Sequence, residues 1–223
     1  MITFSDAYVK LKYRLNKSGT ADYSSIDKDP ATEAINKAQN DLIRRLLGGR
    51  SQNREGAEET RLRVDDLQVL LKNRKLSIID GDIYSDSNKL PREYRYFARL
   101  DVYITNACNE RLLLSSDLRE EANAGVLLTN DNTKPSLQFE QCFHTLLDNK
   151  VRLYHNGEFD PSEVNLIYYK SPKDYNANNP DELFEFKDDV VELIIDEAAK
   201  IIAGDVSDYN NSQRSSNSVE QNN

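Results

Sequence analysis

Apolar positions recur at helical spacing near both ends of the chain and at alternating spacing through its middle. Phe4, Tyr8, Leu11 and Leu15 form a first helical stripe, and Thr3 with Asp6 supplies a capping box at its start. A polar loop follows over 16–29. Asp29-Pro30, a cap followed by proline, predicts the start of a second helix, whose stripe is Ala31, Ile35, Ala38, Leu42 and Leu46 and whose stop is Gly48-Gly49. Residues 50–60 are polar and charged. Leu62 to Lys72 predicts a third helix, with acids near its start and bases at its end. The strongest helix runs from Lys187 to Gly204. Val191, Ile194, Ile195, Ala198 and Ile202 fall on one face, and Asp189, Glu192, Asp196 and Lys200 on the other. Gly204, in the left-handed conformation, is expected to end it.

Between these helices the period shortens. Leu76 to Tyr84 predicts a strand interrupted by a turn at Asp80-Gly81-Asp82, and Leu90-Pro91 a corner. Tyr96 to Thr105, Arg111 to Ser115, Leu137 to His144, Val151 to His155 and Val164 to Tyr169 predict further strands. Ser116 or Asp117 is a candidate cap for a short helix ending at Ala124. Asp148-Asn149-Lys150 and Asn156-Gly157 predict tight turns. Helices, then strands, then a helix give an α+β chain. The expected architecture is a helical bundle of three N-terminal helices and one C-terminal helix, over 1–75 and 185–205. A mostly antiparallel β-rich domain, 76–184, is inserted between them. Residues 206–223 are expected to form an extended polar tail that a partner orders.

Composition narrows the functional classes. The 223 residues carry a formal charge of −9, which disfavours gripping DNA over the chain as a whole. No apolar run approaches a membrane span, and no signal peptide is expected, so a soluble product made in a cytoplasm is the expectation. Cys108 and Cys142 lie in no motif and read as two ordinary thiols rather than a disulfide.

Candidate chemistry is sparse. Asp80 and Asp82, with Asp86, are possible divalent-cation ligands for a hydrolase or nuclease, but they lack the ligand order of a calcium loop and read more simply as a turn. His144 and His155 have no neighbours at metal-ligand spacing. No catalytic, cofactor or metal residue is expected. Asp188, Asp189, Glu192 and Asp196 form an acidic helix face, which reads as solvated or turned to a neighbouring subunit before it reads as paired carboxylates for acid–base work. Arg44, Arg45, Arg50 and Arg54 read first as a solvated helix end and loop, then as contacts to an acidic neighbouring subunit, together with Tyr209 and Arg214, and last as contacts to DNA phosphate. The tyrosines at 94, 96, 103, 154, 168 and 169 read as sheet packing before base stacking.

Three stretches carry a resemblance: LPREYRYFARLDVYI at Leu90 to Ile104, NKVRLYHNGEFDPSEVNLIYYKSP at Asn149 to Pro172, and the last helix followed by GDVSDYNNSQ. Together they resemble the ring-forming neck or tail proteins, the head-to-tail adaptors, of crAss-like tailed bacteriophages. The resemblance implies a non-enzymatic virion subunit in a ring of about twelve copies. Its partners would be itself, the portal protein and other neck rings. DNA would pass through without specific binding, helped by the acidity of the assembled ring.

Overall fold

The computed structural model describes residues 1–17, 26–47, 65–79, 81–105 and 111–220, with the backbone alone described for 17 and 205–220. The chain divides into two compact units, Met1–Val69 with Pro172–Asn223, and Leu70–Ser171.

The first unit is helical. It contains α1 (Phe4–Lys17), α2 (Lys28–Leu47) and α4 (Asp188–Glu220), with α1 and α2 both packed on α4. The capping box forms at α1. The Asp6 amide donates to Thr3 Oγ1 and the Thr3 amide donates to Asp6 Oδ2, each at 3.1 Å. The next free amides of that first turn, on Phe4 and Ser5, donate to the carbonyls of Glu182 and Pro180, both at 2.9 Å. The core joins Phe4, Leu11 and Leu15 to Ile35, Leu42 and Ile43 and to Val191, Ile194, Ile195 and Ala198. Phe184 and Tyr175 close it, with ring centroids 4.2 Å apart.

The second unit is an eight-stranded mixed sheet in the order β1-β8-β4-β5-β6-β7-β3-β2. The strands are β1 (Leu71–Leu76), β2 (Ile78–Ile79), β3 (Tyr84–Lys89), β4 (Tyr94–Thr105), β5 (Arg111–Leu118), β6 (Gln141–Leu147), β7 (Lys150–Tyr154) and β8 (Pro161–Lys170). The pairing of β5 with β6 is parallel, and α3 (Ala124–Thr129) lies in the crossover between them. The two terminal strands of the order, β1 and β2, are separated in the chain by Ser77 alone. One residue spans roughly 7 Å between flanking Cα atoms. The opposite edges of the sheet must therefore meet, and the sheet closes into a barrel. Its closing strand pairs with β8 through its first half and with β3 through its second.

Alternation along the strands then fixes an interior. Leu76, Leu100, Val102, Leu114, Leu153, Val164, Leu166 and Tyr168 form one buried cluster. The tight turns fall where their residues demand. Asp148 and Asn149 take φ of 50° and 59° between β6 and β7, and Asn156 and Gly157 take 52° and 70° after β7. Outside the barrel, α3 covers a second cluster of Ala124, Phe143 and Tyr154.

The observed architecture corrects the expected one. A large eight-stranded mixed sheet, closed into a barrel, forms a unit of its own, and the chain is not a helical bundle carrying an inserted β region. The helix expected at Leu62 to Lys72 is reduced, in its described part, to a short turn ending in the 3-10 segment Gln68–Leu70, after which β1 begins. Pairing with β8 overrides the helical preference of LKNRKL, because an unpaired β8 edge would leave a row of amides unmet. No helix starts at Ser116 or Asp117, since both belong to β5. The strand expected from Leu137 begins at Gln141, after Glu140 turns with φ 52°. Helix α2 starts at Lys28, ahead of Asp29-Pro30. Gly204 does not stop α4, which continues to Glu220, so the tail there is helical and not extended. Gly204 is not at positive φ, and glycine inside a helix costs about 1 kcal/mol relative to alanine rather than ending it. The expectations placed on Gly48-Gly49, Arg50, the 50–60 loop, Asp80 and Cys108 lie outside the described residues.

Leu166 is fully buried in the barrel and Leu113 is 52% exposed on its outside. Leu166→Ala should lower unfolding free energy by about 2–5 kcal/mol, and Leu113→Ala by no more than about 0.5. Urea unfolding of both variants measures this, and equal effects would contradict an interior on that face.

Candidate functional site

The acidic face of α4 is engaged within the chain. Asp188 Oδ1 accepts the Ile2 amide at 2.9 Å, and its other oxygen lies 3.0 Å from the terminal amine of Met1. Glu192 pairs with both Lys10 and Arg14 of α1. Arg14 Nε also reaches Asp196 Oδ1 at 2.6 Å. Hydrogen bonds from Lys10 and then Arg14 hold the Glu192 carboxyl below its ordinary range, against its partial burial. The contact between the amine and Asp188 lowers that carboxyl too. Asp188, Glu192 and Asp196 recur every fourth residue, as do Lys10 and Arg14, so the two ladders share a period. Asp189 is exposed.

The arginines expected at a subunit contact divide. Arg45 Nη2 lies 3.3 Å from Glu197 of α4, while Arg44 makes a long 4.0 Å pair with Asp41. Arg50 lies outside the described residues, and Tyr209 and Arg214 fall within α4 where the backbone alone is described. At Gly204 the helix surface is open, because an added Cβ would meet nothing within 4 Å.

In the barrel unit the main polar assembly was not anticipated from the sequence. Arg152 donates from Nε to Asp86 Oδ1 at 2.8 Å and from Nη2 to Asp86 Oδ2 at 3.1 Å. It also reaches Glu121 at 3.3 Å, and its guanidinium lies 4.2 Å from the Tyr84 ring centre. Glu121 accepts further bonds from Tyr154 Oη, at 2.8 Å, and from Thr145 Oγ1. Burial alone would raise the Glu121 carboxyl, but the bonds from Thr145, Tyr154 and Arg152 outweigh it and hold it low. The Arg152 bond also lowers Asp86. The assembly clamps the segment at 121 to β3, β6 and β7. Its donors and acceptors answer one another, so it serves positioning rather than proton transfer.

Of the candidate cation ligands, Asp80 lies outside the described residues. Asp86 is committed to Arg152 and Asp82 stands exposed on a bend. Among the described residues, no group of three or more His, Cys, Asp or Glu side chains is placed to hold a metal ion. Cys142 is a free, buried thiol that burial pushes up to about 12, which makes it a poor nucleophile. Tyr154 and Tyr168 are buried, and Tyr94 packs on Tyr168 at 5.7 Å. Tyr103 is capped by Arg111 at 3.8 Å, and Arg111 in turn bonds Glu163. A cavity of about 210 Å³ opens beside α3, lined in part by Ser115, Asp117, Arg119, Thr133, Gln141 and Phe143. Its charged members, Asp117 and Arg119, pair with each other at 2.9 Å. No helix among the described residues is long and apolar enough to cross a membrane. A scan against protein-family models and a search of curated proteins each find no match to the chain.

Replacing Arg152 leaves two partly buried carboxylates facing each other. Arg152→Met should therefore cost about 1–3 kcal/mol, whereas Lys75→Met, which removes an exposed side chain whose partner Glu163 keeps Arg111, should cost under about 0.5. Chemical denaturation separates the two, and a neutral Arg152→Met would remove the clamp from the account.

Proposed function

We propose that the protein is a virion structural subunit of a portal-proximal neck or tail ring, a head-to-tail adaptor lining part of the DNA exit channel. It acts by shape and assembly and not by catalysis. The observation that carries this reading is α4. The helix runs 33 residues, about 50 Å, whereas α1 and α2, which pack on it, have 14 and 20 residues, about 21 and 30 Å. Beyond Gly204 its sequence is DVSDYNNSQRSSNSVE, rich in Asn and Ser. So polar a segment is too poor a helix former to hold its helix alone, and a second surface is what would stabilise it. A neighbouring subunit or the portal protein supplies such a surface, and tethering raises the effective concentration of the contact.

The resemblance supports the same reading. Two of its stretches fall on β4 and on β7 through β8, and β4 and β8 pair along most of their length. Copies at −9 each would give a ring strongly negative overall, which favours sliding of DNA over retention. The partners are further copies of this chain, the portal protein and adjoining rings.

Native mass spectrometry of the full chain, alone and with portal protein, tests the proposal. Rings or portal-bound copies are expected for the full chain. A chain ending at Gly204 should lose them while still unfolding cooperatively, with a loss of helical circular dichroism no larger than residues 205–220 account for. A full chain that stays monomeric with portal present would overturn the reading. So would magnesium-dependent cleavage of nucleic acid that is abolished by Asp82→Ala.

A further inference from the structure

The barrel interior holds an imidazole that the proposed function does not use. His144, on β6, is 0% exposed. Its Nδ1 lies 2.7 Å from Ser116 Oγ on β5, and its Nε2 is buried with no hydrogen-bond partner. The Phe97 ring stands 4.9 Å away, and Leu153 of β7 is its registered neighbour. In either neutral tautomer Nε2 is unmet, as a bare lone pair or as an unused N–H. Taking up a proton from solvent changes this. Both ring nitrogens then carry hydrogen, Ser116 Oγ can accept only one, and a charged N–H is left among apolar groups. Charge of that kind is expelled or hydrated rather than tolerated.

We infer that His144 makes the β5–β6 seam an acid-sensitive opening in the barrel. The seam suits the role. It consists of four parallel residue pairs, Ser115↔Gln141 to Leu118↔His144, and parallel pairing is slightly the weaker kind. The groups around the ring do not offset a proton. From β5 they are Ser116 and, beside it, the Asp117 carboxylate, which favours the charged ring without bonding it. From β6 there is the Cys142 thiol, from β4 Phe97, and from β7 Leu153. Arg152 and Tyr154, the neighbours of Leu153, point to the opposite face with Glu121. The Arg119 amide donates to the His144 carbonyl at 2.9 Å and leaves the ring untouched.

His155 is the second buried histidine of this unit. Its Nε2 lies 3.0 Å from Ser85 Oγ and its Nδ1 accepts the Gly157 amide at 3.3 Å, so both nitrogens have partners.

Burial pushes the His144 imidazole down from its ordinary 6.5 to about 4, with Asp117 opposing weakly. The unfolded chain therefore binds a proton below pH 6.5 that the folded barrel refuses until far lower, so stability falls as pH falls through that window. Between pH 7 and 5, above the range where carboxylates titrate, the folding equilibrium should drop about twentyfold, or about 1.8 kcal/mol at 1.36 kcal/mol per tenfold.

Hydrogen–deuterium exchange of the full chain at pH 7 and pH 5, corrected for intrinsic rates, tests the inference alongside urea unfolding at each pH. In the wild type, peptides covering 111–118 and 141–147 should lose protection at pH 5 before those covering 94–105. His144→Gln and His144→Phe should each flatten the pH dependence. A wild type unchanged between pH 7 and 5 overturns the inference. First opening elsewhere, or a twentyfold fall persisting in the His144 variants, does the same. If neither His144 variant folds, the order of opening in the wild type decides. The test compares the wild type with its own variants and does not ask whether the chain assembles, so failure here leaves the proposed function standing.

Discussion

A single residue, Ser77, constrains the whole sheet unit of this protein. It joins strands that lie at opposite ends of an eight-stranded order, and that connection can be made only if the sheet curls until its ends meet. Closure converts a two-faced sheet into an inside and an outside. The inside fills with Leu, Val and Ile from alternate positions and excludes water from whatever polar groups the strands place there. Ser87 shows the consequence. Its hydroxyl accepts the Val151 amide at 2.9 Å and donates to the Asn88 carbonyl at 2.7 Å, satisfying the backbone where the β3–β7 register shifts.

The helical unit rests on a different balance. Its apolar stripes are fully buried at Leu11, Ile35, Val191, Ile194 and Ile195, at roughly 1.5–3 kcal/mol for each side chain. The ion pairs linking α1 to α4 have side chains from 28% to 51% exposed, where a pair contributes about 0.2–1 kcal/mol. Packing therefore holds the helices together, and the charges set which face of α1 meets which face of α4. The carboxylates of α4 are largely neutralised within the chain, which leaves the polar run of α4 beyond Gly204 to carry the proposed assembly.

Local chemistry was legible in the sequence and long-range pairing was not. The Thr3–Asp6 box, the Asp148-Asn149 and Asn156-Gly157 turns and the stripe of α4 all depend on residues within four positions of each other, and each formed where its residues predicted. LKNRKL at 71–76 has neither alternation nor β-branching, and it is a strand because β8 needs a partner. Gly204 carries the same residue type as a stop signal but lacks the conformation that makes one. The clamp at Arg152 draws on residues 66 and 31 positions away, a distance at which no spacing rule operates. The salt-bridge ladder between α1 and α4 was half visible, since Lys10 and Arg14 repeat at the interval of the acids they meet.

Closure gives the barrel one interior, one weak parallel seam and no distant free edges, and the molecular reading depends on it. The most direct measurement is the separation of the two strands that flank the closing strand, by electron spin resonance between labels at Asn165 on β8 and Asn88 on β3. A closed barrel places those backbones two strand spacings apart, about 10 Å. A separation near 24 Å, the five spacings of a flat sheet read the other way round, would contradict it.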